Sequence, residues 1–401
     1  MMKSILAIDG GSPVRNKTLV FGAPVLSDDE CNEVLDTLRS GWIGTGPKTI
    51  AFEKAFAQYV GARHAVAVNS CTAALHLSLI ASHIQPGDEV ITTPLTFAAT
   101  ANVIVHEQAQ PVFADIDPNT LNIDPEAVAR AITPRTKAII PVHFGGLPCA
   151  LESLRQIAGE HNLVIIEDAA HAIGTRYQGK LIGGSGNLTC FSFYANKNLT
   201  TAEGGMIVTN DAQQAEMLAI YRLHGLNRDA WQRYAAHRLI LSNTIYPGYK
   251  YNMTDLQASL GIHQLKKQEN FLKIRERYAR IYDHAFKDLP GVRTQPRPID
   301  GENRHSLHLY VLILDPAHFR VDRNQIVSAL IAENIGAAIH YRALHTHPYY
   351  AETFGYRPAD FPNAAAVGDN IFSLPLTPGM SECDVQDVIT AVYKVLSAYK
   401  R

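Results

Sequence analysis

The chain predicts an α/β architecture, an open and mostly parallel sheet covered by helices, on three observations. Short apolar runs alternate with longer amphipathic segments from about residue 60 onward. Most of the short runs are apolar throughout rather than alternating, as strands buried on both faces are. Turn sequences such as Gln85-Pro-Gly-Asp88 and Gly145-Gly146 separate them.

Seven runs read as strands: Ala65–Val68, Glu89–Thr92, Pro111–Ala114, Ala138–Val142, Val164–Glu167, Cys190–Phe193 and Met206–Val208. Helices fit between them at Thr72–Ser82, Leu151–His161 and Asp211–Leu223. Thr254-Asp-Leu-Gln257 then forms a capping box, in which Thr254 caps the helix and Gln257 reaches back to it. Behind it runs a long amphipathic stretch to about Asp288, with apolar positions at Leu256, Leu260, Leu265, Leu272 and Ile281. A helix of that length bridges two lobes. The remainder mixes a strand-like Leu309–Leu314 with helix-like Arg323–Glu333 and Asp384–Tyr399, a smaller α+β domain. The expected division is an N-terminal arm over residues 1–25, a large domain over 26–252, a linking helix over 253–288 and a small domain over 289–401.

A chain of 401 residues buries a large core and is long enough for two domains. Its 18% charged and 46% hydrophobic residues are an ordinary soluble balance. A net charge of -2 gives no global attraction to nucleic acid or to an acidic membrane, so any bound anion must be held by local groups. Cys31, Cys71, Cys149, Cys190 and Cys383 are scattered and include no Cys-x-x-Cys, which indicates neither a disulfide framework nor a zinc site and suits a reducing cytoplasm. The segment Met1–Ile8 is too short for a signal peptide. The longest apolar stretch, Ala65–Ala81, is broken by Asn69, Ser70, Thr72 and His76, so it does not span a bilayer.

Two residues suggest a specific chemistry. Asp168 ends an apolar strand, and Lys197 follows another, between Thr189-Cys-Phe-Ser-Phe193 and the glycine turn Glu203-Gly-Gly205. Pyridoxal phosphate needs such a pair: an amine to bond its aldehyde and a carboxylate to keep its pyridine nitrogen protonated. Taken alone, Lys197 reads as a surface charge and Asp168 as a helix cap; their placement at strand ends, where ligand sites of parallel sheets collect, changes that. The Asn69-Ser-Cys-Thr-Ala-Ala74 turn offers the backbone of Cys71, Thr72 and Ala73 to a phosphate at a helix N-terminus, or is a plain βα cap. Ser192 adds a hydroxyl. His171 lies beside the ring and its phenolic oxygen, or on the surface. Phe97 stacks on the ring, or packs in the core. The clusters His305–His308 and His340–His347 contain no cysteine or carboxylate, so no metal is expected there.

Five motifs in order resemble the DegT/StrS family, pyridoxal-phosphate aminotransferases of nucleotide-linked keto sugars. They are Asn69-Ser-Cys-Thr-Ala-Ala-Leu75, Glu167-Asp-Ala-Ala-His171, Phe191-Ser-Phe193 with Lys197, Glu203-Gly-Gly205, and Gly248-Tyr-Lys-Tyr-Asn-Met-Thr-Asp255. The resemblance runs from about Ser40-Gly-Trp-Ile-Gly-Thr-Gly-Pro47 to the C-terminus. It implies the aspartate-aminotransferase fold (fold type I), with a mostly parallel seven-stranded large domain, a small domain and a homodimer. It also implies that Asp168 meets the pyridine nitrogen, that His171 neighbours the ring oxygen, and that Thr72, Ala73 and Ser192 hold the phosphate. Asn252 resembles the asparagine that reaches the partner subunit's phosphate.

Within the family, Ile335-Gly336 and His340-Tyr-Arg-Ala-Leu-His345-Thr-His-Pro-Tyr-Tyr350 resemble enzymes that aminate C4 of UDP-linked 4-keto sugars. The His305–His308 segment is similar to aminotransferases that make UDP-4-amino-4-deoxy-L-arabinose, although Phe97 stands where those often carry tryptophan. The implied amino donor is L-glutamate, leaving as 2-oxoglutarate. Arg228, His308, Arg342 and His345, on charge and family placement, and Thr45 and Tyr341 within the resembling segments, are candidates for substrate contacts. The rival expectations are a C3 aminotransferase of a dTDP-keto sugar, a keto-cyclitol aminotransferase, and a non-catalytic regulator that retains the fold.

Overall fold

The computed structural model describes residues 5–227, 231, 234, 241–298 and 301–401. Nine strands lie in the first half: β1 (His64–Val68), β2 (Glu89–Thr92), β3 (Gln110–Phe113), β4 (Thr136–Ile140), β5 (Val164–Asp168), β6 (Arg176–Tyr177), β7 (Lys180–Leu181), β8 (Leu188–Ser192) and β9 (Gly205–Thr209). β6 and β7 form a small separate hairpin, and the other seven make one sheet in the order β1-β9-β8-β5-β4-β2-β3. Every expected strand of this sheet is present. Only β9 runs antiparallel to its neighbours β1 and β8.

Alternate residues of these strands feed two separate cores, which is why the runs carry no polar face. Ile91, Ile139, Met206 and Val208 join Phe52, Phe56, Phe191 and Phe193 on one side. Val90, Ile140 and Ile207 join Leu75, Leu77 and Leu79 on the other. The helix Cys71–Ala81 is buried from Ala73 to Leu79, so it is enclosed on every side, with His76 and Ser78 the polar residues of that stretch. Gly205 lets β9 approach the start of that helix: a Cβ there would lie 2.5 Å from the Ser70 carbonyl. The sequence reading gave Gly204-Gly205 the tight turn, but the left-handed residue of this loop is Ala202, with φ 66. Close packing, rather than backbone conformation, requires these glycines.

The capping box at Thr254 and Gln257 opens a helix of 32 residues, Asp255–Phe286, about 48 Å long. Its first half packs Ala258, Ile262 and Leu265 on the large-sheet core. Its second half packs Tyr278, Tyr282 and Phe286 on another core. That core covers an antiparallel sheet of β10 (Val292–Thr294), β11 (Tyr310–Leu314) and β12 (Ile371–Leu374) in the order β10-β11-β12. The helices Arg323–Ala332 and Glu382–Tyr399 complete this lobe.

The N-terminal arm is fastened to the small lobe by one buried carboxylate. Glu333, 0% exposed, accepts the backbone N–H of Ala7 and of Val14, each at 2.9 Å, and pairs with Lys394 at 2.7 Å. Glu333→Ala leaves two backbone donors without a partner and removes the counter-charge of Lys394, which keeps the Ser12 carbonyl at 2.8 Å. It is expected to cost about 3 kcal/mol, read as a lower urea midpoint with unchanged slope. Beyond this anchor Leu19 pairs with Gly336, Phe21 lies 5.2 Å from the His340 ring, and Gly22 packs on Asn196.

Candidate active site

The loops leaving the carboxyl ends of β1, β2, β5 and β8 converge on one cavity of about 440 Å³. Its walls include Ser70, Cys71 and Thr72 after β1, Thr96, Phe97 and Thr100 after β2, Asp168 and His171 from β5, and Ser192 and Lys197 from β8. His340 and Tyr341 reach it from the small lobe. A volume of this order suits a flat cofactor with part of a substrate.

Lys197 sits in a closed loop. Phe193 anchors both ends of it, donating its N–H to Gly204 and accepting from Thr201, while the Lys197 N–H turns back to Tyr194. Burial pulls the Lys197 amine down to about 8, against Cys71 and Asp168, which act to raise it. Asp168 is 4% exposed. Its Oδ1 accepts the Ala170 N–H at 3.0 Å, and its Oδ2 accepts the Thr100 hydroxyl at 2.8 Å. Thr96 in turn pairs with the Thr100 hydroxyl at 2.9 Å. Burial raises the Asp168 carboxyl above its ordinary value, against those two donors and the charge of Lys197. Behind it, Glu167 and His143 form a fully buried pair at 3.0 Å. Burial pushes the Glu167 carboxyl up, but bonds from His143, Asn187 and Ser185 outweigh it and leave it low.

His171 is held as a neutral donor. The Gly145 N–H donates to its Nδ1 at 3.2 Å, so the ring proton sits on Nε2, 3.1 Å from the Tyr341 hydroxyl. Burial, then the nearby charge of Lys197, holds its pKa well below the usual histidine range. At the phosphate end, the N–H groups of Cys71 and Thr72 open a helix and have no intrahelical acceptor. The Ala73 N–H is taken by the Ser70 hydroxyl at 3.1 Å, so the cradle narrows to two backbone donors, with Ser192 nearby. Phe97 stands at the rim, 62% exposed, its ring 6.1 Å from that of Tyr341.

The remaining sequence candidates lie elsewhere. Asn252 donates to the Thr45 hydroxyl at 2.7 Å, a pair outside the cavity wall. Arg342 folds back on Thr346, with its NH2 2.7 Å from the Thr346 carbonyl. His345 is 0% exposed and packs edge-on to Phe361, so burial in the core removes it from the cavity surface. Arg228 lies outside the described residues. His308 touches Lys197 rather than the open cavity, its Nε2 3.4 Å from the amine. Sequence reasoning did not single out Ser70, Thr96, Thr100, Tyr194 or His340 as cavity residues. Thr96 precedes Phe97, and Thr100 lies in the first turn of the helix Ala98–His106 that follows it. Among the described residues no three His, Cys, Asp or Glu side chains gather as a metal set, and no helix is long and apolar enough to cross a membrane.

This constellation fits pyridoxal phosphate. Among the described residues no lysine or arginine pairs with the buried Asp168 carboxylate, and a pyridine N–H meets that need. A seven-stranded fold-type-I sheet with a buried lysine and aspartate on one cavity defines a pyridoxal-phosphate enzyme. Residues 24–393 match the DegT/DnrJ/EryC1/StrS aminotransferase family, and the chain belongs to it. It is a pyridoxal-phosphate-dependent sugar aminotransferase. The chain is similar to the spore coat polysaccharide biosynthesis protein SpsC of Bacillus subtilis, 51% identical over 383 residues, which cover 95% of this chain and 98% of SpsC. Spr1654 of Streptococcus pneumoniae in its PMP form superposes with a TM-score of 0.88 at 33% identity, covering 95% of this chain and 99% of that one. Helicobacter pylori PseC, an aminotransferase involved in the biosynthesis of pseudoaminic acid, superposes with a TM-score of 0.87 at 31% identity, covering 96% and 100%.

Proposed function

We propose that this enzyme aminates C4 of a UDP-linked 4-keto sugar, taking the amino group from L-glutamate and acting as a homodimer. The single observation that carries the sugar reading is the inner cavity. Among the described residues of its wall Lys197 is the only lysine and there is no arginine, while Ser70, Thr72, Thr96, Ser192, Tyr194, Asn196 and Tyr341 supply neutral polar groups. Beside the Cys71–Thr72 cradle for the cofactor phosphate, these neutral hydroxyl and amide groups suit a hydroxyl-bearing ring, whose hydroxyls both donate and accept hydrogen bonds. Choice of C4 and of the uridine nucleotide rests on the resemblance of residues 335–350. The diphosphate then lies farther out, with Arg342 a candidate partner on charge and family placement; Arg228, the other candidate, lies outside the described residues.

Pyridoxal phosphate, when bound, supplies an electron sink for the carbon that loses its proton. Asp168 holds the ring nitrogen protonated, and the Cys71 and Thr72 backbone with Ser192 fixes the phosphate. The His171 Nε2–H directs a hydrogen bond at the ring's phenolic oxygen. Lys197 Nζ, lowered to about 8, would take up and return the proton at the substrate carbon. Asn252 and Thr45, paired outside their own cavity, are assigned to the partner subunit's site.

The test presents the enzyme, first converted with L-glutamate, with UDP-linked and dTDP-linked 4-keto sugars, a dTDP-linked 3-keto sugar and a keto-cyclitol. Loss of the cofactor band near roughly 330 nm and a product amine at C4 are expected with the UDP sugar. A preference for a dTDP-linked 3-keto sugar or a keto-cyclitol instead defeats the C4 assignment while leaving the aminotransferase intact.

A further inference from the structure

His308 lies outside the open cavity, yet its surroundings fix both ring nitrogens. Asn198 donates its amide to the Ser306 carbonyl at 2.8 Å, which turns its Oδ1 to His308 Nδ1 at 3.3 Å. An amide oxygen only accepts, so Nδ1 carries the imidazole proton. Nε2 is left with a lone pair facing Lys197 Nζ at 3.4 Å. The loop that carries His308 is held on every side. Leu307 adopts φ 54, its carbonyl accepts from Arg275 at 3.1 Å, and its N–H goes to His305 Nδ1 at 2.9 Å. Ser306 donates its hydroxyl to the His171 carbonyl at 2.7 Å. A non-glycine residue in the left-handed region persists only where its surroundings over-determine it.

We infer that Asn198 and His308 form a positioning relay for Lys197, in which the His308 Nε2 lone pair accepts one Nζ–H and turns the amine's own lone pair into the cavity. A neutral imidazole locked in this tautomer cannot donate back from Nε2, so the amine stays free to take the substrate proton. Burial, followed by the charges of Lys197, His171, Arg275 and His340, keeps His308 well below the usual histidine range. The relay follows from six hydrogen bonds and one strained residue, and rests on Lys197 being the reacting amine.

An ammonium donates more strongly than an amine, so an acceptor at Nε2 raises the Lys197 pKa. Trace acetylation of the cofactor-free, full-length protein across pH, with the Lys197 peptide quantified by mass spectrometry, reads that pKa without turnover. The wild-type midpoint is expected near 8. His308→Phe should lower it by about one unit. Asn198→Leu should also lower it, because the imidazole proton then moves to Nε2 and faces the amine. Asn198→Asp should raise it, through a more basic ring. The other groups facing Lys197 (Cys71, Asp168, His171 and His340) remain in every variant, so they do not distort the comparison.

Lowered midpoints in both His308→Phe and Asn198→Leu, with no further drop when the two are combined, support the relay, since Asn198 then acts on the amine only through the ring. Unmoved midpoints in all three variants, with unaltered thermal unfolding, overturn it. A wild-type midpoint near the ordinary 10.5 overturns instead the assignment of Lys197 as the reacting amine.

Discussion

Lys197→Ala is expected to lower kcat for transamination by about 10,000-fold while leaving cofactor binding measurable. In the proposed mechanism the amine has two tasks that no neighbour duplicates, bonding the cofactor aldehyde and moving the proton at the substrate carbon. Of the other groups on the wall, His171 is buried and Cys71 and His340 partly so, and all three are held neutral, with the thiol pushed up and both imidazoles pulled down chiefly by desolvation. None of them replaces a base of pKa about 8 at that position. Retention of the cofactor is expected because the Cys71–Thr72 backbone, Ser192 and Asp168 are untouched. Absorbance of the dialysed variant together with steady-state kinetics checks both halves. A kcat within tenfold of wild type would remove Lys197 from the chemistry.

Asp168→Asn should depress kcat on the order of 1,000-fold and yet leave the cofactor-free protein at least as stable as wild type. The folded-state pKa of Asp168 is raised above the ordinary 3.8, chiefly by burial. Its contribution to stability is therefore complete below that ordinary value and is lost as pH rises through the folded value. At neutral pH the ionised side chain is a cost that only a positive partner offsets. An amide fits the same contacts, with its oxygen on the Ala170 N–H and its NH2 on the Thr100 hydroxyl. Thermal unfolding at neutral pH should give an equal or higher Tm for the cofactor-free variant. The Tm gain on adding pyridoxal phosphate, large for wild type, should shrink. Destabilisation of the cofactor-free variant by several kcal/mol would show that Asp168 has a cationic partner within the protein itself.

Apolar runs made the large sheet legible. Strands buried on both faces announce themselves by composition, so β1 through β5, β8 and β9 were placed within one or two residues. The long helix was equally legible, since a capping box marks its start and 32 residues of amphipathic sequence leave few alternatives. The reversed direction of β9 was not, because a run such as Met206–Val208 reads the same both ways and its direction is set by pairing with β1 and β8.

The site divides along the same line. Asp168, Ser192, Lys197 and the turn at Ser70–Thr72 follow strand ends, and a parallel sheet gathers those by rule. The contribution of the small lobe does not follow from local sequence. Tyr341 meets His171 across 170 residues of chain, and His308 meets Lys197 across 111. Nothing in the segment around His345 marks it as a core residue rather than a ligand contact, and only its enclosure against Phe361 decides that. A threonine in a helix is usually unremarkable, and the bond from Thr100 to Asp168 exists only once the sheet brings the ends of β2 and β5 together across β4.

Borohydride reduction of the purified enzyme, followed by peptide mapping, is the most direct test of the central claim that Lys197 is the residue bonded to the cofactor. A stable pyridoxyl mass increment on the peptide containing Lys197, and on no other lysine peptide, is the predicted result. An increment on another lysine, or none with cofactor present in excess, would contradict the account.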